Sequence, residues 1–545
     1  MRRILFTTAL MFMAMAAGAQ TIYDGLMYSE RNYEGTARSI AMGNAFTALG
    51  GDLGGVGINP AGSAVAKYTQ VVLTPTLSIA STATPGYRYT SATTAIPNYG
   101  IMFNWDTSRA SGLKNITFGF VVNQVNDFNA DVYAAGRNTR TSFMGAMAEE
   151  ATQMGLSGAE LAADNAYAYN PYKYVVGYQS CMISNYINPD AKPEDITDNV
   201  FVGASELPIN GDEATSFALG GPIEQTYGRQ VVGKKSDLLL NLGLNVSDCL
   251  YLGANLGVTT MYYNYSDYFK ETAEDYTDFE HELGSGETTY FKNMKYANTF
   301  NAETSGVYGK FGFIFTPGYG LRIGGAVQTP TVTTVYEEWY MDGETEFSDT
   351  KYNAAAGSPL DYDSYTLIEP WRANFGIAYV YKKLAALSVD YEFCDYSTLK
   401  FKDEYNGGRD YFKDMNSLIR STFRTSHMLR AGIEVKPLSR LAIRAGYGLT
   451  TAPDKEEFSP ALTTEEASKG LGWIAKRSTA AVQNIAFGLG YSSNDSFFAD
   501  IACRYNFQTS EYFMPYDAYI PGVEVPEYTI TKDSWKVLLT LGWRF

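Results

Sequence analysis

From Val71 to the C-terminus, apolar and polar residues alternate along segments of about ten to fifteen residues. A period of two marks β-strands whose two faces meet different surroundings. The pattern predicts fourteen strands, at 71–80, 98–105, 115–125, 236–246, 249–263, 303–316, 319–333, 366–382, 384–398, 422–436, 440–452, 478–491, 496–509 and 532–545. In the last of these, Trp535, Val537, Leu539, Leu541, Trp543 and Phe545 share one face. Ser534, Lys536, Thr540, Gly542 and Arg544 share the other. Phe311, Phe313 and Phe315 oppose Lys310, Gly312 and Thr316 in the same way. Charges on one face and aromatic rings at the rims of the other suit a wall with lipid outside and water inside. The expected fold is therefore all-β, a transmembrane antiparallel β-barrel of about 14 strands spanning 67–545.

The connectors support the same reading. Long ones fall near 81–97, 126–235, 264–302, 334–365, 399–421, 453–477 and 510–531, and short ones near 106–114, 247–248, Pro317-Gly318, Lys383, 437–439 and 492–495. Long loops on one side with tight turns on the other characterise outer-membrane barrels, and an even strand count leaves both chain ends on the short-turn side. The largest loop, 126–235, carries Phe143, Met144, Met147, Met154, Leu156 and Leu161. Two short helices are predicted over 143–166, broken at Gly155 to Gly158, with Ser157 and Glu160 as a capping box for the second. These apolar residues either pack on the loop's own body or offer an external landing site for a greasy ligand.

Ahead of the strands the pattern changes. Met1 to Ala19 reads as a signal peptide, with basic Arg2-Arg3, an apolar stretch from Ile4, and Ala17-Gly18-Ala19 at the cleavage site. Residues 20–66 then form a small, glycine-rich unit with seven glycines between Gly43 and Gly62. Ser39 to Leu49 reads as one short helix, and Asn59-Pro60 as a turn. A knot of this size before a barrel is expected to plug it.

Composition narrows the function. The 545 residues carry a net charge of −17, which argues against nucleic acid. Fifty-one glycines and 43 tyrosines suit a barrel with aromatic girdles. The acid gathers in Glu271–Glu287 and Glu337–Asp349, expected as surface loops. The four cysteines, Cys181, Cys249, Cys394 and Cys503, have no zinc spacing. His281 and His427 are the only histidines, with His281 in an acidic loop and His427 on the apolar face of a strand. No nucleophile elbow or phosphate loop is present. Neither catalysis nor a metal or other cofactor is expected. The charges facing inward include Arg372, Arg430, Glu434, Arg444 and Arg504. They either pair with one another and anchor the plug, or hold a substrate carboxylate, which Arg matches bidentately.

Ala37-Arg38, Met42-Gly43-Asn44-Ala45 and the tetrapeptide Asn59, Pro60, Ala61, Gly62 resemble the N-terminal hatch of the FadL/TodX family of outer-membrane transporters for hydrophobic compounds. The resemblance implies a fourteen-stranded barrel in the cell outer membrane of a Gram-negative bacterium. It implies passive uptake of hydrophobic small molecules, with long-chain fatty acids the usual cargo. Loops would capture the ligand, the hatch would move, and the ligand would leave sideways into the bilayer at a kink in the third strand. Polar residues on both faces from Asn123 onward match that kink in position only, and fit a strand leaving the bilayer better. The C-terminal Phe545 resembles the signal read by the barrel-assembly machinery. The expected partners are thus the ligand, outer-membrane lipid and that machinery, around a monomer. The alternatives are a general porin and a structural or adhesive surface barrel. A haem receptor fits less well with only two histidines.

Overall fold

The computed structural model describes residues 21–186, 198–209, 217–282, 286–382, 384–403, 412–455, 474–477, 481–493, 496–516 and 518–545. The expected signal peptide and the turn at Lys383 lie outside them. Fourteen antiparallel strands close into a barrel, each paired with its neighbour in sequence. The first, Gln70–Thr84, also pairs with the last, Tyr528–Arg544, from Gln70↔Arg544 to Ala83↔Thr531. The strands between them begin with Tyr87–Asp106 (second), Leu113–Asp127 (third), Ile223–Val246 (fourth), Leu250–Ala273 (fifth) and Thr288–Gly318 (sixth). All fourteen predicted strands are present.

The faces divide as the alternation requires. Phe311 is 62% exposed on the outside while Lys310, one residue away, is fully buried inside. Trp371, Phe375, Ile377, Ile501, Trp535 and Trp543 continue the outer apolar band. His427 lies in this outer face, its Nδ1 hydrogen-bonded with the Tyr391 hydroxyl at 2.6 Å. Tight turns close the short-turn side. Ser247-Asp248 and Tyr319-Gly320 both have positive φ at two successive residues, the geometry that matches strand twist in two-residue hairpins.

Three loop expectations need correction. Residues 81–97 are not a long connector, because the first two strands run on to a turn at Pro85-Gly86, where Gly86 has φ +84°. Of the two acidic stretches, Glu337–Asp349 is largely strand. Thr331–Phe347 continues the wall through Glu337, which points inward and is fully buried. The sixth strand has 31 residues where a bilayer needs about 9–11, so the wall rises well beyond the membrane. The largest loop shrinks for the same reason. The third strand resumes as Ala130–Asn138 and the fourth starts at Ile223, leaving 139–222. Within it lie helices Phe143–Gln153 and Gly158–Ala162, the second with the expected Ser157–Glu160 capping box. Tyr172–Gln179 adds a third helix that the sequence reading missed.

Residues 21–66 lie inside the lumen and are almost entirely buried. Helix Ile22–Ser29, closed by a Thr21–Asp24 capping box, sits toward the long-loop side against Tyr365, Phe401, Phe412 and Ile419. Helix Ala37–Ala41 follows, shorter than expected, because the chain turns through left-handed Gly43 and Asn44. The segment ends in a 3-10 helix, Pro60–Val65, near Tyr251 and Ile314 toward the short-turn side. It therefore runs the length of the barrel instead of forming a compact knot at one end.

Candidate functional site

Asn59 ties the inner segment to itself and to the wall. Its Oδ1 accepts from the Ala61 N–H at 3.0 Å, and its Nδ2 donates to the carbonyls of Thr47 at 2.6 Å and Phe313 at 3.0 Å. Pro60 is the first residue of the 3-10 helix, where its missing N–H costs nothing, and its carbonyl accepts from Asn241 at 3.0 Å. Ala61 is fully buried against Tyr251 and Ile314, and the Gly62 carbonyl accepts from the Gly51 N–H at 2.8 Å. The glycines that permit the close approach are mainly in the wall. A Cβ on Gly253 would lie 2.3 Å from Pro60 C and Ala61 N, and one on Gly312 would lie 2.1 Å from Asn59 Oδ1. Of the glycines flanking Asn59-Pro60, Gly54, Gly55 and Gly62 meet atoms of their own segment. Gly57 alone of that group meets the wall, at Asn123.

The five inward charges expected from the sequence, Arg372, Arg430, Glu434, Arg444 and Arg504, are all buried and fall into three pairing groups. Arg372 and Arg430 share Glu392, with Arg430 Nη2 at 3.0 Å from Glu392 Oε2, and Arg372 also donates to the Ser29 carbonyl at 2.5 Å. Glu434 accepts from Arg444 at 2.7 Å and from Arg38 of the inner segment at 3.0 Å, and Arg444 reaches Asp500 at 2.6 Å. Arg504 pairs with Glu34 of the inner segment, which also accepts from Lys536 at 2.8 Å. Buried charge is tolerable only when paired in this way. Asp52 turns inward on its own segment, accepting from Thr36 Oγ1 at 2.7 Å and Gly54 N at 2.9 Å. Lys310 and the inward asparagines Asn241 and Asn255 hold carbonyls of the segment, at 2.9, 3.0 and 2.9 Å. The sequence reading passed over the asparagines, although polar amides on the inner face of glycine-rich strands were their signal.

A cavity of about 590 Å³ remains between the inner segment and the wall. On one side Tyr23, Met27, Phe128, Val231, Tyr263 and Tyr265 make it apolar, and on the other it meets Glu34, Asp127, Arg504 and Lys536. It also reaches an interruption in the wall. The second and third strands pair only from Asp106↔Asn115 to Asn98↔Asn123. Above that level the third strand bulges between Gln124 and Asn126, breaks after Asp127, and resumes paired to the fourth strand. Among the described residues, 87–97 of the second strand pair with the first strand alone. The carbonyls of Asp131 and Tyr133 are met by the hydroxyls of Thr82 and Thr84, not by a strand. Ser91 and Thr93 of that free edge, with Asn126 to Ala130, line the cavity. The third strand is thus broken after Asp127.

The residues expected to offer an external apolar surface are mostly buried. Phe143, Met144, Met147 and Leu161 are at most 2% exposed, packed beneath the loop with Phe269, Tyr296 and Tyr516, and only Met154 is exposed, at 39%. An exposed greasy patch is therefore not what this loop presents. It is a roof whose underside is apolar. Two carboxylates anchor the roof, Glu271 to the barrel wall and Glu206 to Tyr519. Glu271 accepts from Ser142 Oγ, Phe143 N and Gln225 Nε2, and Glu206 accepts from the Tyr519 hydroxyl at 2.8 Å. Burial without a cation beside it pushes the Glu206 carboxyl up from 4.5 to about 7. The folded roof therefore favours the protonated form. Its stability should be greatest in acid and be lost progressively as pH rises from 4.5 through about 7. The protection factors of the amides in peptide 143–153, taken against their intrinsic exchange rates at each pH, should fall between pH 5 and 8 in the native chain, and Glu206→Gln should flatten that fall.

No family model matches the chain, and no curated protein matches it. Among solved structures, the crystal structure of a Pseudomonas aeruginosa FadL homologue is similar at 11% identity, over 94% of this chain and 99% of that one, with a TM-score of 0.49. The Ralstonia pickettii toluene transporter TbuX is similar at 11% identity, over 94% and 98%, with a TM-score of 0.45. The Pseudomonas putida toluene transporter TodX is similar at 10% identity, over 95% and 100%, with a TM-score of 0.45.

Proposed function

We propose that this chain is a passive outer-membrane transporter for hydrophobic small molecules, with long-chain fatty acids as its cargo, in a Gram-negative bacterium. The observation that carries this reading is the cavity. It has an apolar wall, lies behind a segment that fills the lumen, and reaches the place where the second and third strands part company. A ligand enters under the roof of loop 139–222, displaces part of residues 21–66, which act as a hatch, and leaves sideways between those strands. The hatch touches this exit directly. Asn32 N–H donates to the Val125 carbonyl at 2.7 Å, and Glu34 N–H to the Gln124 carbonyl at 3.0 Å, at the bulge itself. A general porin fits less well, since its lumen must be open to water. The chain works without catalysis, as a monomer, and the barrel-assembly machinery recognises Phe545, a reading supported by its 78% exposure at the end of the last strand.

Deleting 143–166 removes Phe143, Met144, Met147, Met154 and Leu161 together. Uptake of a fluorescent dodecanoate by cells should fall by more than half, while the heat-modifiable band of the folded barrel persists. Unchanged uptake would show that these residues only roof the barrel.

A further inference from the structure

One stretch of the outer rim gathers positive charge, in a chain with 59 carboxylates and only 42 cations. After strand Ala385–Asp395 the chain forms a short strand, Lys400–Lys402, paired with Asp361–Glu369, and later helix Lys413–Thr422. Phe401 is buried, while Lys400 and Lys402 on either side of it are exposed on the outer face. Lys400 pairs with Ile368 and Lys402 with Thr366, and across that strand these meet Val332 and Thr334. Val332 belongs to the outer apolar band, and just above it Tyr336 and Tyr362 stack on the same outer face. Outward aromatic rings at the edge of an apolar band mark the headgroup level of a bilayer. The two lysines therefore stand at that level, in lipid-facing positions. The helix is locked beside them. Asn416 Oδ1 accepts from the Phe401 N–H and its Nδ2 donates to the Phe401 carbonyl, both at 2.9 Å. Ile419 is buried against Ile22, Tyr23 and Leu26, while Lys413, Arg420 and the following Arg424 are exposed. Five exposed cations thus accompany one exposed carboxylate, Asp414, among the described residues of 395–424. None of the five forms an ion pair with a described residue.

We propose that Lys400, Lys402, Lys413, Arg420 and Arg424 form a docking surface for a phosphorylated glycolipid of the outer leaflet. The inference rests on the outer-membrane placement of the barrel and not on what the barrel transports. The phosphates lie against the five cations, and the acyl chains run down the wall over Val332, Phe393 and Leu429, all exposed on the outer face below this level. Charge selects the partner. Cations on a lipid-facing wall are unfavourable without anions beside them, and charge-assisted bonds to phosphate are among the strong ones. A zwitterionic headgroup brings its own ammonium and cannot neutralise five cations spread over a strand and a helix. A headgroup with two phosphates and no cation can. The surface also has a fixed shape, because the Asn416 bonds hold helix and strand in one register. The end of the helix is closed as well, since Lys455 Nζ donates to the carbonyls of Arg420 and Ser421 at 2.6 and 2.9 Å. The guanidinium of Arg420 is thus left to face outward.

The test titrates the full-length barrel, purified in detergent, with three probes and reads binding by native mass spectrometry. The probes are diphosphorylated lipid A, the same lipid A stripped of its phosphates, and phosphatidylethanolamine. The native chain should bind intact lipid A at least tenfold more tightly than either of the others. Replacing Lys400, Lys402, Arg420 and Arg424 together by Gln should weaken intact lipid A at least tenfold and leave the other two probes within twofold. Lys400→Gln with Lys402→Gln alone should give a smaller loss in the same direction. Lys436→Gln with Arg440→Gln, at the opposite rim, should leave all three within twofold. Heat modifiability confirms that each variant is folded. Equal binding of intact and stripped lipid A by the native chain would overturn the proposal. So would an equal loss in the variants at the two rims, which would show attraction to charge in general and no docking surface.

Discussion

Removing residues 21–62 should leave a folded, heat-modifiable barrel that conducts ions freely in planar bilayers, where the native chain conducts poorly. The barrel's closure needs nothing from the segment, since the first and last strands pair directly over most of their length. The lumen, however, is filled by it. Deletion removes Arg31, Arg38 and Glu34 and so leaves Asp237, Glu434, Arg504 and Lys536 without those partners. Inside an intact lumen each such charge would be costly. Once the segment is gone, water enters and solvates them, so the cost falls on the closed state and the open barrel survives. The expected conductance is that of a wide pore. A deletion variant with native conductance and native uptake would mean that the segment does not close the barrel.

Placing side chains on two wall glycines should produce the same leak without deleting anything. Gly253→Ala puts a Cβ 2.3 Å from the backbone of Pro60 and Ala61, and Gly312→Ala puts one 2.1 Å from Asn59 Oδ1. Backbone cannot yield as a side-chain tip can. Overpacking of this kind costs about 1–3 kcal/mol per site. The barrel strands are held by continuous ladders on both sides at these positions, so the hatch moves and the wall does not. Gly253→Ala should therefore raise conductance strongly, and the double variant should approach the deletion. Asn59→Ala should leak less than the double variant. It loses three hydrogen bonds, each worth about 1 kcal/mol net, but introduces no clash. A Gly253→Ala barrel as tight as the native one would show that the segment docks elsewhere.

The barrel was legible because lipid enforces alternation. Every strand that crosses the bilayer must show Phe, Leu or Trp to one side, as at Phe311 to Phe315. The portions above the membrane were not legible as strand, because water on the outer side lets Glu, Lys and Thr replace the aromatic rings. Residues 334–347 and 264–273 thus read as loop while the backbone ladder runs on. The turn at Pro85-Gly86 was hidden for the same reason, between small polar residues that mark loops as often as strands. The hatch motif announced its local turn, since Asn59 and Pro60 carry that geometry in their own side chains. Its partners did not, because which wall glycine meets which hatch atom depends on register across strands distant in sequence. The loop apolar residues showed that something is buried at 143–161. Whether they face a ligand or each other depends on the rim aromatics Phe269, Tyr296 and Tyr516, which come from three other stretches of chain.

The central claim is that a barrel closed to water passes hydrophobic molecules. Its most direct test is a paired flux measurement in proteoliposomes, with radiolabelled dodecanoate and a small sugar offered to the same vesicles. The account predicts that the protein accelerates dodecanoate entry several-fold over empty vesicles while the sugar stays out. Sugar entering freely with no gain for dodecanoate would contradict it and leave an open polar pore in its place.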